Sequence, residues 1–400
     1  MLGTVSAQLV SLGAAPLLSR LFGPESYGQY GIFVAIMVLI SSVSGGRLEL
    51  AVSMPRQDKT STIIASTARL LALATTAFIF FLICIIFIVA NATPSILSVP
   101  LWFFAIPPTA LLVAWNGSYA QQNLRALQFS LQAKLRFLQS SIYVLLAILL
   151  GLSDITALGL VVATFATQAL IFLFHWYRNR QLITSKLKAI AIIRSFRDFP
   201  VKQVPATLIE TGTSYLPILF IAPQYGNTIA GYFFFAQTVL RQPIAFISNA
   251  IGELFRQWLS KRVAFAMSAK KGTIITVSLL STLSIVIFVP FLLLAPWLVP
   301  FVFGSQWSDA AIYFQVFAVI SAFQFVASPI SPSFYILGHQ SWDVILQVIT
   351  ASSLIVYLSL AAYYEISPIM SILVYAAIYV CRYCIQLAMS MRFIMRKPWI

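Results

Sequence analysis

Apolar residues in this chain form about twelve long runs, each near the roughly 20 residues that a helix needs to cross a bilayer. Short polar segments separate the runs. We therefore predict an all-α polytopic membrane protein with about twelve transmembrane helices. The predicted spans are residues 2–20, 28–49, 62–90, 100–120, 135–152, 155–177, 203–222, 227–250, 272–298, 309–336, 341–363 and 366–391.

Lysines and arginines occur in every second gap between these runs. They are Arg56 and Lys59, then Arg125, Lys134 and Arg136, then Arg178 through Lys202, then Arg256 through Lys271, then Arg392, Arg396 and Lys397. Positively charged loops remain on the cytoplasmic side of a membrane during insertion. The pattern therefore predicts that these gaps and both termini face the cytoplasm.

The overall composition excludes a soluble protein. Hydrophobic residues make up 60% of the chain, charged residues 9%, and the mean hydropathy is +0.92. The net charge of +15 belongs to loops beside an anionic leaflet, so we expect membrane lipids and no nucleic acid as partners. Cys84, Cys381 and Cys384 all fall within apolar runs, which indicates neither a disulfide framework nor a zinc site. We expect no metal and no cofactor.

The segment 178–202 differs from the rest of the chain because it is strongly basic. Its apolar residues Leu182, Leu187, Ile190, Ile193 and Phe196 are mostly three positions apart, which predicts an amphipathic helix on the inner leaflet. A disordered basic linker is the alternative. We predict an N-terminal lobe of six helices at 1–177, this cytoplasmic linker, and a C-terminal lobe of six helices at 203–400.

The two predicted lobes carry similar motifs in their first helix pairs. Pro16 is followed by Gly31 in the first pair, and Pro217 is followed by Gly231 at nearly the same spacing in the seventh and eighth helices. An even number of spans separates the copies, so they have the same orientation in the membrane, as in parallel transporter repeats. Two such lobes are expected to enclose a central cleft. Chance similarity between proline-rich and glycine-rich turns is the competing explanation.

Three segments resemble a known family. They are Asp198 through Ile209 continuing to Gly231 and Pro243, Arg20 through Gly28 with Arg47 to Pro55, and Phe303 through Trp307 with Pro329 and Gly338. These motifs resemble bacterial polysaccharide flippases of the Wzx type. The resemblance implies the fold of the multidrug/oligosaccharidyl-lipid/polysaccharide exporter superfamily. The family's members usually carry a short cytoplasmic segment before the first helix, and this chain departs from that pattern.

The resemblance also implies a function and a location. Members carry undecaprenyl-pyrophosphate-linked sugar units from the inner to the outer leaflet of the bacterial inner membrane by alternating access. Such units serve the synthesis of lipopolysaccharide O-antigen, capsule or exopolysaccharide. Polymerases and glycosyltransferases of the same pathway are the expected protein partners.

Four of the arginines in the predicted spans are candidates for a binding site. Counted at about 1.5 Å per residue, Arg47, Arg241 and Arg382 lie in the inner half of the membrane, and Arg69 lies near the cytoplasmic end of the third span. Charged groups within spans usually face the bundle interior or a partner. Because guanidinium binds phosphate oxygens bidentately, we hypothesise that these arginines capture the pyrophosphate. Snorkelling side chains or internal salt bridges are the alternative.

Carboxylates and uncharged polar residues complete the predicted site. Glu49, Glu210 and Glu253 are expected to balance the arginines or to bind a coupling cation. Trp115, Asn116 and Gln122 in the fourth helix, with Gln324 in the tenth, are expected to line a sugar cleft. Polar residues that link membrane helices to one another are the alternative for this second group.

Two other function classes compete with a flippase. A membrane-embedded polysaccharide polymerase or ligase would need an acid, base or nucleophile beside the cleaved bond. His175 lies at a helix end and His339 in a short loop, which makes them poor catalytic partners, so we expect no enzyme. No phosphate-binding Gly-Lys-Ser/Thr loop is present in the sequence. A cation-coupled multidrug exporter of the same fold stays open, although that task favours acidic groups at depth.

Overall fold

The computed structural model describes residues 2–92, 100–153, 155–179 and 186–396. It is 91% helical, and no strand occurs in these residues. The predicted all-α polytopic architecture is therefore confirmed. Arg180 and Leu182 of the predicted linker, and Lys397 near the C-terminus, lie outside the described residues.

The chain divides into two compact units, Met1–Leu219 and Phe220–Ile400. The helices that begin in the first unit are α1 (Leu2–Leu21), α2 (Pro24–Ser44), α3 (Asp58–Ala92), α4 (Ile106–Arg125), α5 (Phe129–Leu152), α6 (Ala157–Asn179), α7 (Lys186–Ser195) and α8 (Val204–Tyr225). Short 3-10 helices at Leu48–Ser53 and Leu101–Ala105 and a π-helical turn at Phe199–Gln203 connect some of them. The lobe boundaries at 177 and 203 stay a prediction.

The second unit contains the remaining helices. They are α9 (Asn227–Ala264), α10 (Lys270–Phe303), α11 (Ala311–Ala327), α12 (Ser333–Ile336), α13 (Gln340–Tyr363) and α14 (Pro368–Arg396). The 3-10 helices Ser305–Ala310 and Ser328–Ile330 lie before and after α11.

Within the described residues, nine helices or helix combinations are long and apolar enough to cross a membrane. Large apolar side chains on several of them point away from the protein, for example Phe78, Ile88, Leu293 and Phe301, which are all more than 60% exposed. Apolar side chains at such exposure favour hydrocarbon over water. A bilayer is therefore the natural surrounding of these helices, while the predicted number of twelve spans stays a prediction.

The first unit is organised around α4, which packs against α2, α3 and α6, while α1 packs against α5. Close approach of α1 and α5 depends on Gly151, since a Cβ atom there would lie 2.9 Å from the ring of Phe22. Small residues at crossing points allow van der Waals packing, which holds membrane helices together without a hydrophobic driving force.

The second unit is organised around α11, which packs against α9, α10 and α14. The segment Ser305–Ile336, which contains α11, is 72% buried in its most apolar window, far more than any other candidate span. Buried Trp307 at its start contacts Phe235 of α9, with ring centroids 4.3 Å apart. A helix that is apolar on all sides is expected at the centre of a bundle.

The described part of the basic segment is partly helical, as predicted. α7 buries Ala189, and Ile193 and Phe196 pack against a cluster formed by the 3-10 helix Leu48–Ser53 and α3. Leu187 and Ile190 remain exposed, at 82% and 49%. Some apolar side chains of this segment therefore pack inside the first unit, and others are exposed on its surface.

Several predicted helix ends are wrong. α2 ends at Ser44 and not at 49, because Gly46 and Arg47 adopt left-handed backbone conformations. α9 continues to Ala264 instead of 250, since its last turns are amphipathic rather than apolar. α11 ends at Ala327, before Pro329, because proline cannot continue the hydrogen-bond pattern of the helix.

Candidate functional site

A row of three tyrosines on α14 forms the core of the candidate site in the second unit. Tyr375, Tyr379 and Tyr383 are buried, with successive ring centroids 4.9 and 6.1 Å apart. Residues four apart lie on one face of a helix, so the rings follow one another along α14, with successive ring planes tilted by 51° and 40°. A side-chain hydrogen bond joins Tyr375 and Tyr379.

Two of the predicted phosphate-binding arginines meet at this tyrosine row. The guanidinium carbon of Arg241, on α9, lies 5.6 Å from the centre of the Tyr379 ring, and Arg241 also donates a hydrogen bond to Tyr383. The guanidinium carbon of Arg382 lies 5.7 Å from the Tyr383 ring. Both arginines are half-buried. Two cations therefore lie beside neighbouring rings of the tyrosine row, an arrangement suited to attracting an anion.

A proline interrupts the backbone hydrogen bonds of α9 beside Arg241. Pro243 lies inside the helix two residues further on. Proline lacks an N–H group and removes one hydrogen bond of the preceding turn. The turn that carries Arg241 therefore has a backbone carbonyl left without its usual helical donor.

Arg47 and Glu49 form an ion pair in the first unit. Arg47 lies in the left-handed turn after α2, and its Nη1 donates to Glu49 Oε1 at 3.1 Å. Both side chains are largely buried, at 26% and 18% exposure. Burial raises the pKa of Glu49, and its own backbone N–H and Arg47 lower the pKa in part. The sequence placed both residues in the second span. Because α2 ends before them, Arg47 lies in a turn and Glu49 in a 3-10 helix.

Arg69 is buried among residues of α4. Its Nη1 donates to Gln122 Oε1 at 3.1 Å and to Ser118 Oγ at 3.4 Å. The guanidinium carbon lies 4.3 Å from the centre of the Tyr119 ring. The indole N–H of Trp115 donates to the backbone carbonyl of Arg69 at 2.9 Å. The structure thus brings Arg69, Trp115 and Gln122 together, although the sequence placed them in different parts of the predicted site.

The other predicted sugar-lining residues are buried separately. Asn116 donates to the backbone carbonyl and side-chain oxygen of Gln168 at 3.0 and 2.9 Å. Gln324, on α11, is 8% exposed, and its Oε1 has no hydrogen-bond partner among the described residues.

Gln168 also lines a cavity of about 220 Å³ inside the first unit. Its described lining consists of uncharged polar side chains only: Tyr30, Gln139, Ser140, Tyr143, Thr164, Thr167 and Gln168. Tyr30 and Thr164 share a hydrogen bond of 2.9 Å. Hydroxyl and amide groups are the usual partners of sugar hydroxyls, since both can donate and accept.

The remaining predicted carboxylates, Glu253 and Glu210, are both exposed. Glu253 accepts a hydrogen bond from Arg256 Nη2 on the same helix at 2.5 Å, with both side chains about half exposed. Glu210 is exposed on α8, and its backbone carbonyl accepts from Ser214 Oγ.

The tyrosine row is the part of the site that sequence reasoning missed. The three tyrosines recur at four-residue spacing in the last span and could have been found by that spacing. Their pairing with Arg241 could not, because α9 and α14 are far apart in the chain.

Comparison with solved structures shows that membrane transporters share the fold of this chain. The chain is similar to a multidrug resistance MATE family transporter of the MOP superfamily in an inward-facing conformation, at 14% identity and a TM-score of 0.73, over 97% of this chain and 94% of that one. It is also similar to the lipid II flippase MurJ in an inward closed conformation, at 11% identity and a TM-score of 0.77, over 98% and 88%. The expected superfamily fold is confirmed.

Residues 17–312 match the model of a family described as polysaccharide biosynthesis protein. The chain belongs to this family. A comparison with curated protein sequences gave no match.

Proposed function

We propose that this protein is a flippase that moves undecaprenyl-pyrophosphate-linked oligosaccharide units from the inner to the outer leaflet of the bacterial inner membrane by alternating access. The family, polysaccharide biosynthesis protein, supports glycans as the cargo. A transporter fold shared with a lipid II flippase supports a lipid-linked form of that cargo. The units would serve O-antigen, capsule or exopolysaccharide synthesis, beside the glycosyltransferases and polymerase of the same pathway.

The arginine pair on the tyrosine row is the observation that carries this proposal. Arg241 and Arg382 would bind the pyrophosphate, whose oxygens suit the planar donors of guanidinium. Tyr379 and Tyr383 would hold the two guanidinium groups in place without neutralising them, because a phenol is uncharged at neutral pH. Arg47 and Arg69, both in the first unit, remain candidate substrate-binding residues.

Uncharged polar groups would bind the sugar portion of the cargo. Trp115, Asn116 and Gln122 of α4, and Gln324 of α11, are assigned this role. The cavity beside Gln168 supports the proposal, because its hydroxyl and amide lining can exchange donors and acceptors with sugar hydroxyls.

Glu49 and Glu253 would act as charge-balancing residues for Arg47 and Arg256, since each forms an ion pair with that arginine. Glu210, which is exposed on α8, is left as the candidate for ion coupling. The alternating distribution of cations supports a location of both termini in the cytoplasm.

The test is transport of a pyrophosphate-linked glycolipid in proteoliposomes by wild-type protein and Arg241→Gln. Each charged hydrogen bond to phosphate is worth enough to change the rate by about 10- to 100-fold, so we expect a loss in this range. Arg256→Gln is the matched control, because it removes the same charge from an exposed position of the same helix. Undiminished transport by Arg241→Gln would contradict the proposal, as would export of cationic drugs instead of glycolipid by the wild-type protein.

A further inference from the structure

A cationic cavity lies inside the first unit, where α3 begins and α4 and α6 end. Its volume is about 560 Å³, within the range of about 300–1,000 Å³ that is usual for ligand pockets. Its described lining contains three arginines, Arg69, Arg125 and Arg178, and one carboxylate, Asp58. Most of the other lining residues are uncharged and polar. The cavity therefore has an excess of positive charge.

Asp58 and Arg125 form an ion pair at this cavity. Arg125 Nη2 and Nε donate to Asp58 Oδ1 at 3.0 and 3.3 Å, and its Nη1 donates to the Val52 carbonyl at 3.0 Å. The guanidinium is mostly buried, at 18% exposure, whereas the carboxylate is 95% exposed. An exposed carboxylate gains little from such a pair. A second anion could therefore replace Asp58 on a guanidinium that is already held in place.

Neutral amides accept from the other two arginines. Arg69, on α3, donates to Gln122 Oε1, and Arg178 Nη2 donates to Gln128 Oε1 at 2.9 Å. These contacts orient the guanidinium groups and leave their positive charges in place. Three oriented guanidinium groups around one cavity match the oxygens of a phosphate group.

We propose that this cavity binds a phosphate-bearing anion, through Arg69, Arg125 and Arg178, with Asp58 as an internal competitor for Arg125. The ligand chemistry is a phosphate ester or diphosphate, which an anionic lipid headgroup or a soluble compound can supply. The site goes beyond the proposed flippase function. It lies within the first unit, it shares Arg69 but not the tyrosine row with the proposed flippase site, and its occupancy does not require transport.

The first experiment measures pyrophosphate binding to detergent-purified protein by calorimetry. All variants carry Arg241→Gln, so that pyrophosphate binding at the tyrosine row does not contribute to the measured heat. Arg178→Gln should weaken binding about tenfold, since it removes one charge-assisted contact. Asp58→Asn should strengthen binding about threefold, since it removes the competing carboxylate. Arg194→Gln, an exposed arginine of α7 outside the cavity, is the charge-matched control and should change nothing.

The second experiment distinguishes the two sources of phosphate. Asn179 lines the cavity, so Asn179→Cys is labelled with a maleimide in a chain whose three native cysteines are replaced by alanine. Labelling is compared in nanodiscs of phosphatidylcholine, the same discs with phosphatidylglycerol, and the first discs with added pyrophosphate. Slower labelling with phosphatidylglycerol indicates a lipid headgroup, and slower labelling with pyrophosphate alone indicates a soluble ligand. Ser195→Cys, exposed on α7, should be unaffected.

Two results would overturn the inference. One is the absence of protection by either source of phosphate. The other is an affinity for pyrophosphate that neither Asp58→Asn nor Arg178→Gln changes. A variant that fails to fold cannot mimic the expected gain with Asp58→Asn, so the test stays decisive even if Arg178→Gln is unstable.

Discussion

The buried arginines of the two units have different partners. In the first unit, Arg47 is paired with Glu49, and Arg69 is enclosed by Tyr119, Ser118 and Gln122. In the second unit, Arg241 and Arg382 lie against the tyrosine row and are half-buried. A carboxylate partner neutralises a cation, whereas amide and phenol partners position it and leave its charge for a ligand. Position within a span therefore says less about function than the chemistry of the neighbours does.

The largest expected effect comes from removing both arginines of the tyrosine row. Transport by Arg241→Gln with Arg382→Gln should fall by about 1,000-fold, and by less than the product of the single losses, because both groups would bind one pyrophosphate. The measurement is proteoliposome transport by the two single variants and the double variant. It compares the loss in the double variant with the product of the two single losses. Strictly multiplicative losses would show that the two arginines act at separate places.

The next effect concerns stability in the first unit. Arg69→Gln should lower the free energy of unfolding by about 2–4 kcal/mol, since it removes a desolvated cation–π contact and two buried hydrogen bonds. Arg382→Gln should cost less than about 1 kcal/mol, because its guanidinium is half-buried. Thermal unfolding in detergent measures both. Equal costs for the two variants would remove the distinction between the units.

Glu49 should make stability depend on pH. Its pKa is raised by burial in the folded protein, so the folded state binds more protons than the unfolded state between about pH 4.3, the ordinary glutamate pKa, and the pKa of the folded protein. Stability is then highest at acid pH and falls as pH rises through the folded pKa, by about 1.4 kcal/mol for each pH unit between the unfolded and the folded pKa. Glu49→Gln should lack this fall. Parallel unfolding curves of the two proteins from about pH 4.5 to 7 would contradict the assignment.

The smallest effect is expected at Glu253. Its ion pair with Arg256 is exposed, and such pairs contribute about 0.2–1 kcal/mol. Glu253→Gln should therefore shift the unfolding free energy by less than about 1 kcal/mol, and added salt should reduce the difference further. A larger loss would mean that this pair resembles the buried pair of the first unit.

Prediction from the sequence was most accurate for the existence of membrane helices, which depends on the apolar composition of a segment. The helices near 62–90, 341–363 and 366–391 all exist, because long apolar segments have no stable alternative in a membrane. Their ends were less accurate. The left-handed backbone at Gly46 and Arg47 ends α2 early, and this moves Arg47 and Glu49 from the predicted helix into a turn.

The candidate site was predicted only in its residue types. Arg241 and Arg382 were chosen because charges within spans are costly and need partners, and the structure places both beside Tyr383. The sequence assigned Arg125 and Arg178 to cytoplasmic gaps between spans. In the structure they line the cationic cavity of the first unit together with Arg69. Loop position gave no sign of this, since their convergence depends on how α3, α4 and α6 end.

The sequence by itself determined that this chain is a helical membrane protein and where its cations fall, because apolar length and charge are local properties of a segment. Only the tertiary structure decided which cation meets a carboxylate, an amide or a tyrosine. Those partners come from helices that are distant in the chain, and their contacts depend on helix packing and on the few residues that end each helix.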